Sequence, residues 1–212
     1  MDARLKQMSA MLIVGPSQAG KTTFVENLIN SRHVLFEVPP RKIHWFTGSH
    51  YETDRTDIQV YEGGLPDSFE MVRAGDMVVL DDLMNEAADS KVVSNLFTRL
   101  VHHLPCTVLS LTQNLYSKGS ENRTRSLNSQ YIVLFKSPRD ASQIECLGRQ
   151  MYPGQKGFLT GAYKDAISIR PYSYLLLDLH QTTPEELRVR TCILPDEAPQ
   201  RVYLPRSKAI NK

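Results

Sequence analysis

The chain has 212 residues, 41% of them hydrophobic and 23% charged, with a net charge of +2. That is enough for one full α/β domain of ordinary globular composition, and too near neutrality for charge alone to identify an anionic partner. Its three cysteines, Cys106, Cys146 and Cys192, are too widely and irregularly spaced to form a disulfide framework, which favours a reducing compartment.

No apolar run has the character of a signal peptide or a membrane span, so we expect an intracellular, non-secreted protein with no membrane partner. In chain order, residues 11–14 are a short apolar run suited to a buried strand. Apolar residues at Phe24, Val25, Leu28 and Ile29 follow with helical spacing. Residues 33–40 read as a loop ending in Pro39-Pro40, which no helix crosses. Residues 42–46 alternate and are rich in aromatic and β-branched side chains, the pattern of a second strand, and 58–61 form another, stopped by Gly63-Gly64. Leu65-Pro66-Asp67 opens a predicted short helix running to about Arg73. Residues 77–80 are continuously apolar, as in a strand buried on both faces.

Residues 90–103 carry Val92, Val93, Leu96, Phe97, Leu100 and Val101 at helical spacing, and Pro105 ends that segment. Strands are predicted at 107–111 and 131–135, helices at 141–150 and 157–166, and a last strand at 174–179. Beyond Leu187 the chain is rich in Pro, Arg and polar residues. We therefore expect one domain over residues 1–187 and a peripheral extension or flexible tail over 188–212. Strands alternating with helices predict an α/β fold, a three-layer sandwich with a mainly parallel sheet and helices on both faces.

Residues 15–22 read Gly-Pro-Ser-Gln-Ala-Gly-Lys-Thr, a complete GxxxxGK[ST] phosphate-binding loop in the strand–loop–helix context its chemistry requires. Gly15 and Gly20 let backbone N–H groups approach phosphate oxygens, and the helix beginning near Lys21 turns its positive end to the same anion. We expect Gly15, Pro16, Ser17, Gln18, Ala19, Gly20, Lys21, Thr22 and the following Thr23 to hold a nucleotide's phosphates. Lys21 would reach the β- and γ-phosphates and the Thr22 hydroxyl would bind Mg²⁺.

The 77–80 run ends in Asp81-Asp82. An acid at the carboxyl end of a neighbouring strand holds Mg²⁺ through its water shell, and we assign that role to Asp81. Asp82, with Glu86 as a weaker alternative, is placed to orient and deprotonate the attacking water. Thr112-Gln113-Asn114 follows the next strand, where the Gln113 amide would sense the γ-phosphate or position water. No Asn-Lys-x-Asp guanine-reading motif occurs, which favours adenine, so ATP with Mg²⁺ is the expected ligand.

Lys118, Arg123, Arg125, Lys136 and Arg139, opposed only by Glu121, give residues 117–139 a positive excess. A groove contacting DNA phosphates and an ordinary solvated surface account for it equally well. His102 and His103 beside Cys106 supply three ligands where a structural zinc site takes four, so a helix end before Pro105 is the better reading. Trp45 and Phe46 are assigned to the core.

Five segments together resemble one group: Gly-Pro-Ser-x-x-Gly-Lys-Thr; Val-Val-Leu-Asp-Asp-Leu-Met at 78–84; Leu-Thr-Gln-Asn-Leu at 111–115; Ser-Leu-Asn-Ser-Gln-Tyr-Ile-Val-Leu-Phe-Lys-Ser-Pro-Arg-Asp at 126–140; and Tyr-Leu-Leu-Leu-Asp-Leu-His at 174–180. They are similar to the genome-packaging ATPases of the FtsK–HerA superfamily, in the poxvirus-type branch found in large DNA viruses and in Polinton (Maverick) elements. The resemblance runs from about Met11 to Leu194.

It implies a P-loop NTPase of the additional-strand catalytic-glutamate, RecA/FtsK-like type, a homo-oligomeric ring that threads double-stranded DNA into a capsid. Partners would include capsid or other virion proteins, at the host-cell site of virion assembly. Such rings use an arginine from one subunit on the neighbour's nucleotide. Relatives often carry His-His-Arg before the glutamine strand, whereas this chain has His102-His103-Leu104. That leaves Arg99, Arg123 and Arg125, of which Arg125 is preferred. A P-loop small-molecule kinase and an ATP-binding assembly factor without significant turnover are the alternatives.

Overall fold

Successive residues of the first strand, β1 (Ala10–Val14), point into different apolar layers, and that alternation organises the domain. Met11 and Ile13 pack on one face with Phe24, Val25, Leu28 and Ile29 of helix α1 (Lys21–Asn30). Leu12 and Val14 pack on the other face with Ile144 and Leu147 of α3 (Ala141–Met151) and with Leu159, Ala162 and Tyr163 of α4 (Phe158–Ala166). A computed structural model describes residues 2–81, 83, 93, 96–97, 105–116 and 126–205.

The remaining strands are β2 (Ile43–Thr47), β3 (Ile58–Glu62), β4 (Met77–Asp81), β5 (Thr107–Thr112), β6 (Tyr131–Phe135), β7 (Tyr174–Asp178), β8 (Val189–Thr191) and β9 (Arg201–Val202). Among the described residues they form, with β1, one nine-stranded sheet in the order β3-β2-β4-β5-β1-β6-β7-β8-β9. Every pairing from β3 through β6 is parallel; β7, β8 and β9 add antiparallel pairings at one side. Helices on both faces of a mainly parallel sheet complete the three-layer α/β sandwich expected of the sequence. The buried strands read as unbroken apolar runs because both of their faces are covered. Trp45 and Phe46 are buried in β2 as expected.

Strand β5 lies between β1, which leads into the phosphate loop, and β4, which ends in Asp81. This is the inserted strand that defines the additional-strand class. Being parallel, β1, β5 and β4 deliver their carboxyl ends to one edge of the sheet, where ligands bind in open α/β folds.

Three expectations are corrected. No helix spans residues 65–73; Phe69 and Val72 are buried through a single turn closed by Val72 N–H to the Phe69 carbonyl at 3.0 Å. A segment that short gains too few hydrogen bonds to nucleate a helix, and one turn buries its apolar residues. The supposed loop after α1 begins with one helical turn, α2 (Arg32–Leu35), whose Leu35 enters the core.

The third correction concerns the C-terminal part. Residues after Leu187 supply β8 and β9 instead of a peripheral tail, and Tyr174–Asp178 is therefore not the last strand. Arg190 made β8 look polar, yet it is 1% exposed, with its guanidinium donating to Asp178 at 3.1 Å and to the Ala3 carbonyl at 2.6 Å. Burial lowers the Arg190 pKa and the Asp178 carboxylate opposes that shift. Residues 206–212 lie outside the described residues, as does most of the predicted 90–103 helix; Val93, Leu96 and Phe97 of that segment are buried. Among the described residues no helix is long and apolar enough to cross a membrane.

Candidate nucleotide site

The loop between β1 and α1 is anchored at both ends. Gly15 N–H donates to the Thr112 carbonyl at the end of β5 at 3.1 Å, and Ala19 N–H closes a turn onto the Pro16 carbonyl at 3.2 Å. Only glycine fits at 15, because a Cβ there would stand 2.7 Å from Cβ of Phe135 on β6. Gly20, at φ 92°, ends the loop in a left-handed conformation and serves as the N-cap of α1.

Among the described residues no side chain caps α1, and its first turn contains no acidic residue, so its positive end faces the loop. Lys21 places its ammonium over the loop, donating to the carbonyls of Gly15 at 2.7 Å and Pro16 at 2.9 Å. A helix N-terminus and a cation therefore meet at one spot, which suits a phosphate.

Thr22, on the next position of α1, donates its hydroxyl to Oδ2 of Asp81 at 3.2 Å. Gln113, just past β5, brings its Nε2 to 3.5 Å from Oγ of Ser17. Ser17, Gln18, Lys21, Thr22, Asp81 and Gln113 line a single polar cleft of about 220 Å³. Of the residues expected at the site, these six are brought together. Thr23 lines a neighbouring hollow at the loop's end instead of this cleft. Asp82, Glu86, Arg99, His102, His103, Lys118, Arg123 and Arg125 lie outside the described residues.

A hydroxyl and a carboxylate are hard oxygen ligands suited to Mg²⁺, which completes its shell with water and substrate phosphates. Among the described residues no cluster of three or more His, Cys, Asp or Glu side chains is poised for a metal, and Mg²⁺ bound through phosphates requires none. Cys106 is buried, and burial pushes its thiol up to about 12.

Ser49 also lines the cleft and belongs to no motif. It follows β2, with its N–H donating to Oγ1 of Thr47 at 3.1 Å, and the adjacent Gly48 N–H reaches the Asp81 carbonyl at 3.4 Å. Only the adjacency of β2 and β4 brings it to the acid, so nothing local in the sequence marks it. Beyond it, Tyr51 stacks on Trp45 at 4.3 Å and donates to Glu26 of α1 at 3.2 Å. Burial and the Glu26 carboxylate push the Tyr51 hydroxyl up to about 12, so it stays a donor and braces this loop against α1. Lys136 and Arg139 are exposed just past β6, at the same edge of the sheet as the phosphate loop.

The sequence matches no protein-family model and no curated protein. Among solved structures, the fold is similar to that of the genome packaging NTPase B204 from Sulfolobus turreted icosahedral virus 2. In complex with sulfate that protein matches at a TM-score of 0.53 and 10% identity, over 98% of this chain and 99% of the other. In complex with AMPPCP it matches at a TM-score of 0.52 and 11% identity, over 94% of this chain and 99% of the other. In complex with ATP-gammaS the values are 0.50 and 9%, over 98% and 100%. The two chains thus share a fold along essentially their whole lengths.

Proposed function

We propose that this chain is an ATP-hydrolysing motor subunit that moves double-stranded DNA into a viral capsid. The observation that carries the reading is the meeting of Thr22 and Asp81 at 3.2 Å in a cleft shared with Lys21 and Gln113. It is supported by likeness of fold, from end to end, to a viral genome packaging NTPase whose structures include complexes with ATP analogues.

In this reading the loop amides and Lys21 hold the β- and γ-phosphates, so charge developing in the transition state meets donors already in place. Thr22 and Asp81 would hold Mg²⁺, which would supply charge neutralisation on the phosphate oxygens. Asp82 takes the proton of the attacking water, while Gln113 orients that water and senses the γ-phosphate. A neighbouring subunit supplies an arginine, Arg125 in our assignment, a contribution worth about 10³–10⁵ in rate in comparable systems. The ring would act with capsid or other virion proteins inside the host cell, where virions assemble.

The test is ATP turnover by the purified protein with and without duplex DNA, beside a Lys21→Ala control and with the assembly state recorded. The reading expects DNA-stimulated hydrolysis by a ring, lost in Lys21→Ala, and an Asp82→Asn variant that binds ATP without hydrolysing it. A monomer whose turnover ignores DNA contradicts it. Transfer of phosphate to a nucleoside or sugar instead of water identifies a kinase.

A further inference from the structure

The phosphate cleft, at about 220 Å³, is polar and among the described residues has no aromatic side chain in its lining, so it suits a triphosphate better than a base. A separate hollow of about 410 Å³ opens on the other side of the loop's end, between Gly20, Thr23 and Asn27 of the α1 region and the turn Arg170–Tyr172 before β7. That is within the roughly 300–1,000 Å³ range of small-molecule sites. Lys21 and Thr22 line the cleft while Gly20 and Thr23 line the hollow, so the two are divided only by the last residues of the loop.

Tyr172 is the distinctive feature of the hollow. It is 69% exposed, and its φ of 62° is a left-handed conformation that bulky residues rarely adopt. The turn is pinned from both sides: Arg170 N–H donates to Oγ of Ser173 at 3.1 Å, and Ser173 N–H to the Arg170 carbonyl at 3.3 Å. The side chain leans on the start of α1, where a Cβ on Gly20 would come within 3.1 Å of Cβ and Cδ1 of Tyr172.

The wall behind it is rigid. The Glu197 side chain, 4% exposed, is paired with the Arg170 guanidinium and accepts from the Tyr174 hydroxyl at 2.7 Å and from Leu194 N–H at 3.1 Å. Phe24 and Tyr174, in edge contact at 4.7 Å, close the floor.

We propose that this hollow is the nucleobase subsite and that the Tyr172 ring is the platform on which the base stacks. The inference rests on the nucleotide-binding reading above: a nucleotide whose phosphates follow the loop carries its base past Gly20 and Thr23 onto Tyr172. A ring held ready on a pinned turn loses little freedom when the base arrives.

The test is calorimetric binding of ATP and of inorganic tripolyphosphate, both with Mg²⁺, to wild type, Tyr172→Asn and Tyr172→Phe. Asparagine tolerates the left-handed turn without offering a ring. Loss of one base–aromatic stack should weaken ATP binding roughly 5- to 100-fold in Tyr172→Asn. Tripolyphosphate binding should be unchanged, and Tyr172→Phe should match wild type. Unchanged ATP affinity in Tyr172→Asn overturns the proposal. Equal weakening of both ligands also overturns it, by showing that Tyr172 only supports the loop through Gly20. Wild-type protein that binds neither ligand removes the nucleotide-binding reading itself, and this subsite with it.

Discussion

The Thr22 hydroxyl donates to the Asp81 carboxylate at 3.2 Å although 59 positions separate them in the chain. The contact exists because α1 starts at the carboxyl end of β1, β4 ends two strands away, and the parallel β5 between them holds both ends level. A phosphate loop and an acid are each common; their meeting across an inserted strand is the arrangement on which the proposed metal–triphosphate site rests.

Replacing Gly15 by Ala should damage both the loop and the sheet. The added methyl would stand 2.7 Å from Cβ of Phe135, so backbone must move. Overpacking of this kind costs about 1–3 kcal/mol. Thermal unfolding should show a lowered midpoint, and ATP binding should weaken because the Gly15 N–H to Thr112 anchor is displaced.

Gln113→Ala should separate binding from turnover. The side chain is exposed at the cleft, where its Nε2 lies a long 3.5 Å from Oγ of Ser17. Loss of water positioning is expected to lower kcat on the order of 10²-fold with ATP affinity little changed. Single-turnover kinetics beside equilibrium binding would check it.

Asp178→Ala should be among the most destabilising single changes. It strands the Arg190 guanidinium, which is 1% exposed, and removes the acceptor of the Thr183 hydroxyl. Breaking a buried pair from one side costs about 3–5 kcal/mol. Chemical denaturation would measure it, and truncation after Leu187, which deletes Arg190 with β8, should likewise fail to give a stable domain.

Asp57 gives a pH-dependent case. Hydrogen bonds from Arg55, together with the charges of Arg55 and Arg32, hold its carboxyl below the usual range. A folded pKa below the unfolded value of roughly 3.9 means that the stabilisation is complete above that value and is lost as pH falls through the folded pKa. Asp57→Asn should therefore cost about 0.5–1 kcal/mol at pH 7. The gap between the two proteins should close on acidification below that pH range, as read by urea unfolding at several pH values.

The features legible in the sequence were those whose chemistry is local. The phosphate loop declares itself in eight consecutive residues, 15–22, and Asp81 and Gln113 each follow directly from an apolar strand. Buried strands such as 131–135 are readable because covered faces demand unbroken apolar runs. The rest depended on distant partners. Arg190 disguised β8 as a tail because its counter-ion, Asp178, lies on another strand. Phe69 and Val72 kept helical spacing while needing only a turn. Ser49 reaches the cleft only because β2 lies beside β4, and Tyr172 meets the end of the loop only because the 170–173 turn folds over Gly20.

The most direct measurement is calorimetric ATP binding with and without Mg²⁺, in wild type and in Asp81→Asn. If Thr22 and Asp81 jointly hold the metal beside the triphosphate, Mg²⁺ should strengthen ATP binding in wild type. Asp81→Asn should lose most of that gain while keeping its metal-free affinity. An identical Mg²⁺ dependence in the two proteins would contradict the account.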